Sequence, residues 1–266
     1  MAADPQANVA RTGQGLPIVV AHGMGVDHRS LMMLDDWFPD GTQRLYLDLP
    51  GHGRTPPLAG RGGLPEYADW FVDAIDDLVG PRRPFALVGN SMGGALVREA
   101  VARRKRRVAG VALIAPVIDP VMARRHVAEH VVDEPNPDLM HRLPLGQVLD
   151  FVRMGVNQSF DAWRRYQRYI LPGIRAFDRE AYARLEERYI LPDVPERTFG
   201  TFDGPTLVVC GRCDQIVGYE DQEAVLSHYP NARYAVIERA GHNVYVDRPD
   251  QVGALLRDWA DELPLG

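Results

Sequence analysis

The sequence predicts an α/β fold, a mostly parallel sheet with helices on both faces and a helical segment inserted into it. Three observations predict it. Runs such as Pro17-Ile18-Val19-Val20-Ala21 and Thr206-Leu207-Val208-Val209-Cys210 are short, β-branched and apolar, which suits strands buried on both faces. Amphipathic stretches such as Leu64 to Val79 fall between such runs, and strand–helix alternation builds parallel sheets. From Val117 to Thr201 this rhythm stops, and it resumes at Gly204-Pro205. A chain of 266 residues is long enough for one large domain with an insertion. The division expected is a core of residues 1–116 and 202–266 and a helical cap of residues 117–201.

Taken in order, residues 1–12 read as an arm leading into a short strand around Val9-Ala10-Arg11. The Pro17–Ala21 strand stops at His22-Gly23-Met24-Gly25. Leu31 to Phe38 has helical spacing of Leu31, Leu34 and Trp37 and is ended by Pro39. Arg44 to Leu49 is a strand, followed by the turn-rich Pro50-Gly51-His52-Gly53. Leu64 to Val79 is an amphipathic helix with Pro65 in its first turn and Gly80-Pro81 beyond its end. Phe85 to Val88 is a buried strand, and Gly94 to Arg104 a helix. The cluster Arg103-Arg104-Lys105-Arg106-Arg107 suits a helix C-terminus, where cations offset the dipole. Val108 to Ala115 is another strand. Within the insertion, Arg168-Tyr169-Ile170-Leu171-Pro172 recurs as Arg188-Tyr189-Ile190-Leu191-Pro192, and both read as helix ends stopped by Pro. After the Thr206–Cys210 strand come a helix around Gln222–Leu226, a strand Arg233–Ile237 and a closing helix from about Pro249 to Glu262.

The net charge of -6 points away from nucleic acid and anionic membrane as partners. Met1-Ala2-Ala3-Asp4-Pro5 has neither the basic start nor the apolar core of a secretory signal, and no apolar run approaches the ~18 residues of a membrane span. The expectation is a cytoplasmic protein with a small-molecule substrate, no cofactor and no metal; a homodimer is compatible with all of this. The two cysteines, Cys210 and Cys213, form C-x-x-C, but no helix starts between them and no second Cys pair completes a zinc site. They read as a strand Cys and a loop Cys without chemistry.

The chemistry centres on Gly89-Asn90-Ser91-Met92-Gly93. It lies where a buried strand becomes a helix, the context a nucleophile elbow needs. A turn that sharp leaves no room for side chains two residues before and after the Ser, hence glycine at both. A serine hydroxyl needs a base, and the base an orienting partner. Ser91, Asp214 and His242 occur in that order, each just past a strand. The N–H groups of Met92 and Met24 are the natural donors to a developing oxyanion.

Together with Asp48-Leu49-Pro50-Gly51-His52-Gly53, Gly211-Arg212-Cys213-Asp214 and Ala240-Gly241-His242, these segments make the sequence resemble the α/β-hydrolase superfamily over essentially its whole length. The stretch Leu87 to Gly94 is similar to that of the meta-cleavage-product carbon–carbon hydrolases. This resemblance implies a Ser91-His242-Asp214 triad and hydrolysis of a small, fairly apolar ester, lactone or diketone under a helical cap. Three departures stand beside it. Too few residues precede Pro17 for the family's opening hairpin, so its first strand is expected to be missing. The glycine-rich oxyanion loop is short. Asn243 follows the His where the carbon–carbon hydrolases carry Trp. A lyase or cyclase on the same scaffold, or a ligand receptor with an idle triad, stays open as an alternative.

Gly23, His28, Asn90, Trp163, Tyr166 and Asn243 are expected to bind substrate. His22 and His52 are expected to be structural, Asp119 is a weaker candidate than Asp214 for the triad acid, and Asp247 is expected to be solvated. Met140, Leu143, Met154, Tyr169 and Phe177, like Trp163 and Tyr166, either shape a pocket or pack the cap onto the core.

Overall fold

A computed structural model describes residues 4–265. Its seven strands are β1 (Val9–Gly13), β2 (Leu16–Ala21), β3 (Thr42–Leu47), β4 (Phe85–Asn90), β5 (Val108–Ile114), β6 (Thr206–Gly211) and β7 (Ala232–Ile237). They form one sheet in the order β1-β3-β2-β4-β5-β6-β7. Only β1 is antiparallel, paired to β3 from Val9 opposite Leu47 to Gly13 opposite Gln43. No strand pairs with the outer edge of β1 among the described residues.

The strand side chains divide by the two-residue period of the pleat. Val19, Ala21, Leu87, Leu113 and Val208 face one layer, with the helices α2 and α3 described below. Ile18, Val20, Val88, Ile114 and Val209 face the other, with the C-terminal helix and part of the insertion. Both faces are therefore buried, which is why these strands are continuously apolar. The helices, in chain order, are α1 (Arg29–Met32), α2 (Leu64–Val79), α3 (Met92–Arg104), α4 (Pro137–Arg142), α5 (Leu145–Met154), α6 (Phe160–Arg165), α7 (Leu171–Ala176), α8 (Arg179–Glu187), α9 (Pro195–Phe199), α10 (Glu220–Leu226), α11 (Val244–Asp247) and α12 (Pro249–Asp261). No described helix is long and apolar enough to cross a membrane.

Two local expectations give way. The helix expected over Leu31–Phe38 breaks into α1 and a 3-10 turn at Asp35–Trp37, with Leu34 at φ -97°, ψ 2° between them. Asp35 is drawn to β1 and β3 instead, accepting from Thr12 Oγ1 at 2.8 Å, Arg44 Nε at 2.9 Å and Tyr46 Oη at 2.7 Å. Pro172 does not stop a helix either. A π-turn, Tyr166–Ile170, runs on from α6 directly into α7, so Pro172 lies within a continuous helical run, with a π-turn in place of the regular turn before its ring. Nor does Pro192 stop a helix in the second copy: α8 already ends at Glu187, and Arg188 to Pro192 is a loop. The arginine cluster ends α3 as expected, with Arg104 and Arg107 both paired to Asp76 of α2 and Arg103 to Glu99.

Between β5 and β6 the described elements are helical throughout (α4 to α9), apart from an isolated bridge of Glu134 with Asn157. The loops after β2 and β4 flank the point where the strand order reverses. That is where ligands bind in open parallel sheets.

Candidate active site

β4 is buried along its whole length and delivers Ser91 to the sheet edge. Ser91 takes φ 53°, ψ -116°, a backbone region costly for a residue with a Cβ, and α3 starts at the next residue. The glycines are required by the walls of this turn. A Cβ on Gly89 would stand 2.5 Å from Gly93 O, and one on Gly93 would stand 2.2 Å from Ala21 O at the end of β2. The end of β5 braces the turn: Ser91 N–H donates to Ile114 O and Ala115 O at 3.1 Å each, and Val117 N–H donates to Ser91 O at 3.0 Å.

Asp214 and His242 follow β6 and β7. Asp214 is fully buried. Its Oδ1 accepts the N–H groups of Ile216 at 2.8 Å and Val217 at 2.9 Å, and its Oδ2 faces His242 Nδ1 at 3.0 Å. Both oxygens are thus fixed, and the ring is held with Nε2 as its free nitrogen. The two loops lie close together: a Cβ on Gly211 would stand 2.4 Å from both Ala240 O and Gly241 O. His242 and Ser91 line one cavity of about 240 Å³. No hydrogen bond joins Ser91 Oγ to His242 among the described residues, a looseness common before substrate enters.

The Gly23–Gly25 loop packs against the elbow, where a Cβ on Gly23 would stand 3.2 Å from Ser91 Cβ. No other backbone or side-chain group takes the Met24 N–H among the described residues, and Met92 opens α3, where first-turn N–H groups have no helical partner. His52 Nε2 accepts the Gly25 N–H at 3.1 Å while its Nδ1 faces Pro50 O at 2.8 Å. His22 Nε2 accepts the Leu49 N–H at 3.0 Å and its Nδ1 faces Gly23 O at 2.7 Å. Burial, followed by its neighbour His22, pushes His52 down to about 3; burial also lowers His22. Two neutral rings therefore hold the loops on either side of Met24, as the structural reading of His22 and His52 requires.

Gly23, Asn90, Tyr166 and Asn243 line the cavity, as do Met154 and Phe177. His28 does not. Its N–H and Nδ1 both go to Asp48 Oδ1, at 3.0 and 2.7 Å, and it lines a separate crevice with Gly53 and Arg54. Trp163 does not either: it is buried beneath the wall, stacked on Tyr166 and edge-on to Phe151, with centroids at 5.9 and 5.2 Å. Met140, Leu143 and Tyr169 are likewise absent from the wall. The sequence reading missed Val26, Ile170, Ile174, Tyr182 and Tyr245. The four-residue spacing of Ile170, Ile174 and the nearby Phe177 was the available signal for one face of the π-turn and α7.

Asp119 serves its own loop, accepting the Val121 N–H at 2.8 Å. Asp247, expected to be solvated, is 2% exposed. The sequence shows its nearness to polar neighbours but not that the insertion folds down over it. Asp27, His28 and Asp48 bring their ligand atoms within 4.8 Å of one another. Those atoms are already used, His28 with Asp48 and Asp27 with Arg29. Cys210 and Cys213 are free thiols, and burial pushes the Cys210 thiol well up, away from reactivity.

Residues 18–255 match the alpha/beta hydrolase family. The chain belongs to that family. The protein is thus an α/β-fold hydrolase. An alpha/beta superfamily hydrolase from Oenococcus oeni PSU-1 superposes with a TM-score of 0.88 at 28% identity, over 97% of this chain and 96% of that one. A meta-cleavage product hydrolase from Pseudomonas fluorescens IP01 superposes with a TM-score of 0.69 at 20% identity, over 97% and 95%, a likeness of fold. The (E)-2-((N-methylformamido)methylene)succinate hydrolase of Acinetobacter baylyi is 30% identical over 47% of this chain; the match spans 46% of that enzyme, under half its length.

Proposed function

We propose that this alpha/beta hydrolase is a serine hydrolase of small, uncharged, largely apolar esters or lactones. In this reading Ser91 is the nucleophile, His242 the general base, Asp214 its orienting partner, and the Met24 and Met92 N–H groups the oxyanion donors. The observation that carries it is the convergence of Ser91, His242 and the Gly23–Gly25 loop on one cavity with no Asp, Glu, Lys or Arg among its described wall residues. The helical insertion serves as the cap that supplies much of that wall.

With Nδ1–H given to Asp214, His242 Nε2 takes the Ser91 proton as Oγ bonds to the substrate carbonyl carbon. The carbonyl electron pair moves onto oxygen, where the two N–H groups meet it. Collapse breaks the C–O bond, and His242 passes its proton to the leaving alkoxide. Water then attacks the acyl-Ser91, giving a proton to His242, which returns it to Ser91 as the acid departs. The elbow stretch Leu87 to Gly94, with Asn90 before Ser91, resembles that of the carbon–carbon hydrolases and supports a second reading, hydrolysis of a diketone, against which Asn243 stands.

Graded p-nitrophenyl esters, a lactone panel and a dienoic diketone, run in labelled water, separate these readings. The Ser91→Ala variant should lose on the order of 10⁴-fold or more in kcat and all labelling by a fluorophosphonate. Full activity in Ser91→Ala, or a product without oxygen from water, would overturn the proposal.

A further inference from the structure

The loop that carries His242 is held by the insertion as well as by the sheet. One stretch of the insertion, residues 153–158, does the holding. Gln215, next to Asp214, donates from Nε2 to Arg153 O at 2.9 Å. Gly241, next to His242, lies against the same stretch: a Cβ there would stand 2.9 Å from Val156 Cγ2 and 3.5 Å from Met154 O. The buried Asp247 spans the join. Its Oδ2 accepts the Gly241 N–H at 2.8 Å, its Oδ1 accepts the Asn157 N–H at 3.1 Å, and Asn157 Nδ2 donates back to Asp247 O at 3.4 Å. Three residues before Asn157, Met154 lines the cavity.

We propose that Asp247 is a positioning residue, whose carboxylate clips the His242 loop to residues 153–158 so that the general base and the cavity wall are held as one body. This rests on the role proposed above for His242. The cationic neighbours do not explain the carboxylate. Arg248 turns to Glu134 at 2.8 Å and Asp133 at 3.6 Å, and Arg165 donates to Val246 O at 2.9 Å. Neither guanidinium bonds Asp247 Oδ1 or Oδ2 among the described residues. The carboxylate is held by backbone N–H groups from two segments, so its work is to fix two pieces of backbone relative to each other. An amide in its place offers one oxygen for two N–H donors and turns an NH₂ toward the second. Burial is the largest influence on Asp247, which keeps its place although burial disfavours its charge.

The test uses the full chain with Asp247→Asn, a p-nitrophenyl ester, a fluorophosphonate probe and amide hydrogen exchange of the peptides containing Gly241 and Asn157. The expected result is a native melting transition and at least a tenfold fall in both kcat and labelling rate, since small misplacements of a catalytic group carry such costs. KM should stay within about threefold, because the wall residues are unchanged. Exchange should quicken in both peptides. Wild-type kcat and labelling in Asp247→Asn overturn the proposal, and so does lost activity with wild-type exchange in both peptides. If Asp247→Asn does not fold, Asp247→Glu keeps two oxygens on a longer arm and is read by the same criteria. A wild-type chain that neither labels nor turns over any ester sinks the serine-hydrolase reading instead; the clip is then decided by exchange alone, where unchanged protection in the variant overturns it.

Discussion

Ser91 is held at φ 53° by contacts that leave its neighbours no freedom. A methyl on Gly93 meets Ala21 O at 2.2 Å, and that oxygen belongs to the backbone of a central strand, which cannot swing aside as a side chain can. Gly93→Ala should therefore cost at least about 1–3 kcal/mol, the range of overpacking in a tight core, read as a lower urea midpoint. It should also slow fluorophosphonate labelling by displacing Ser91. Asp247 offers a test of a different kind. Burial raises its carboxyl from 3.8 to about 6, against the partial help of the Gly241 and Asn157 N–H groups. A group whose pKa is raised by folding favours the native state when protonated. Its contribution is complete below pH 3.8 and is lost as the pH rises through about 6. That loss is about 3 kcal/mol at the usual 1.36 kcal/mol per pH unit. Asp247→Asn should flatten the pH dependence of stability between about pH 4 and 7, measured by urea unfolding at a series of pH values; an unchanged slope would count against the raised pKa. The contrast between these two residues shows what a sequence discloses at this scale. Gly93 was legible from the elbow pattern around Ser91, although the atom that forbids a Cβ there, Ala21 O, lies in another strand. Asp247 and His28 were misjudged because their partners, Asn157 and Asp48, lie 90 and 20 residues away.

Arg98 ties the insertion to α3, the helix that follows Ser91. Arg98 of α3 is 1% exposed and meets both oxygens of Glu196 in α9 at 2.6 Å. Its Nη1 also reaches Val117 O at 2.9 Å and Ile118 O at 3.3 Å, so it grips the insertion where it leaves the sheet and where it returns. Tyr229 Oη adds a hydrogen bond to Glu196 at 3.0 Å. Removing one partner of a buried pair strands the other charge, so Arg98→Met should destabilise by about 3–5 kcal/mol. Arg98→Met with Glu196→Leu should recover much of that loss, because two apolar side chains leave no buried charge. Chemical denaturation of the two single variants and the double closes the cycle; a double variant as unstable as the worse single would contradict this account. At the level of elements, the sheet strands were readable because burial on both faces leaves continuous apolar runs. The insertion was not, because its order depends on long-range ties such as Arg98–Glu196. The π-turn at Tyr166–Ile170 likewise carries the chain through Pro172 without the stop that a regular helix would require.

The assembled molecule makes a functional site from parts that are each unremarkable alone. Strand order brings the ends of β2 and β4 side by side, and β6 and β7 supply the paired loops of Asp214 and His242. The insertion supplies much of the cavity wall, because Met154, Tyr166, Ile170, Ile174, Phe177 and Tyr182 all come from it. That wall was the least legible part of the site. Helical spacing marks an apolar face but does not distinguish a stripe facing a cavity from one facing a core, and Tyr166 and Trp163, three residues apart, divide between the two. The consequence for specificity follows from volume and charge together. A cavity of about 240 Å³ accommodates a short acyl chain, and its described wall residues include no Lys or Arg to pair with a carboxylate. An unpaired ion buried there costs several kcal/mol, of which about 2.7 kcal/mol already means a hundredfold in rate. Among p-nitrophenyl esters, kcat/KM should therefore peak at a short chain such as butanoate and fall for decanoate. A hemisuccinate ester of matched length should react at least about a hundredfold more slowly than butanoate. If the hemisuccinate reacts as fast as the butanoate, the neutral wall does not govern selection, and the charge must be met by groups outside the residues that line the cavity.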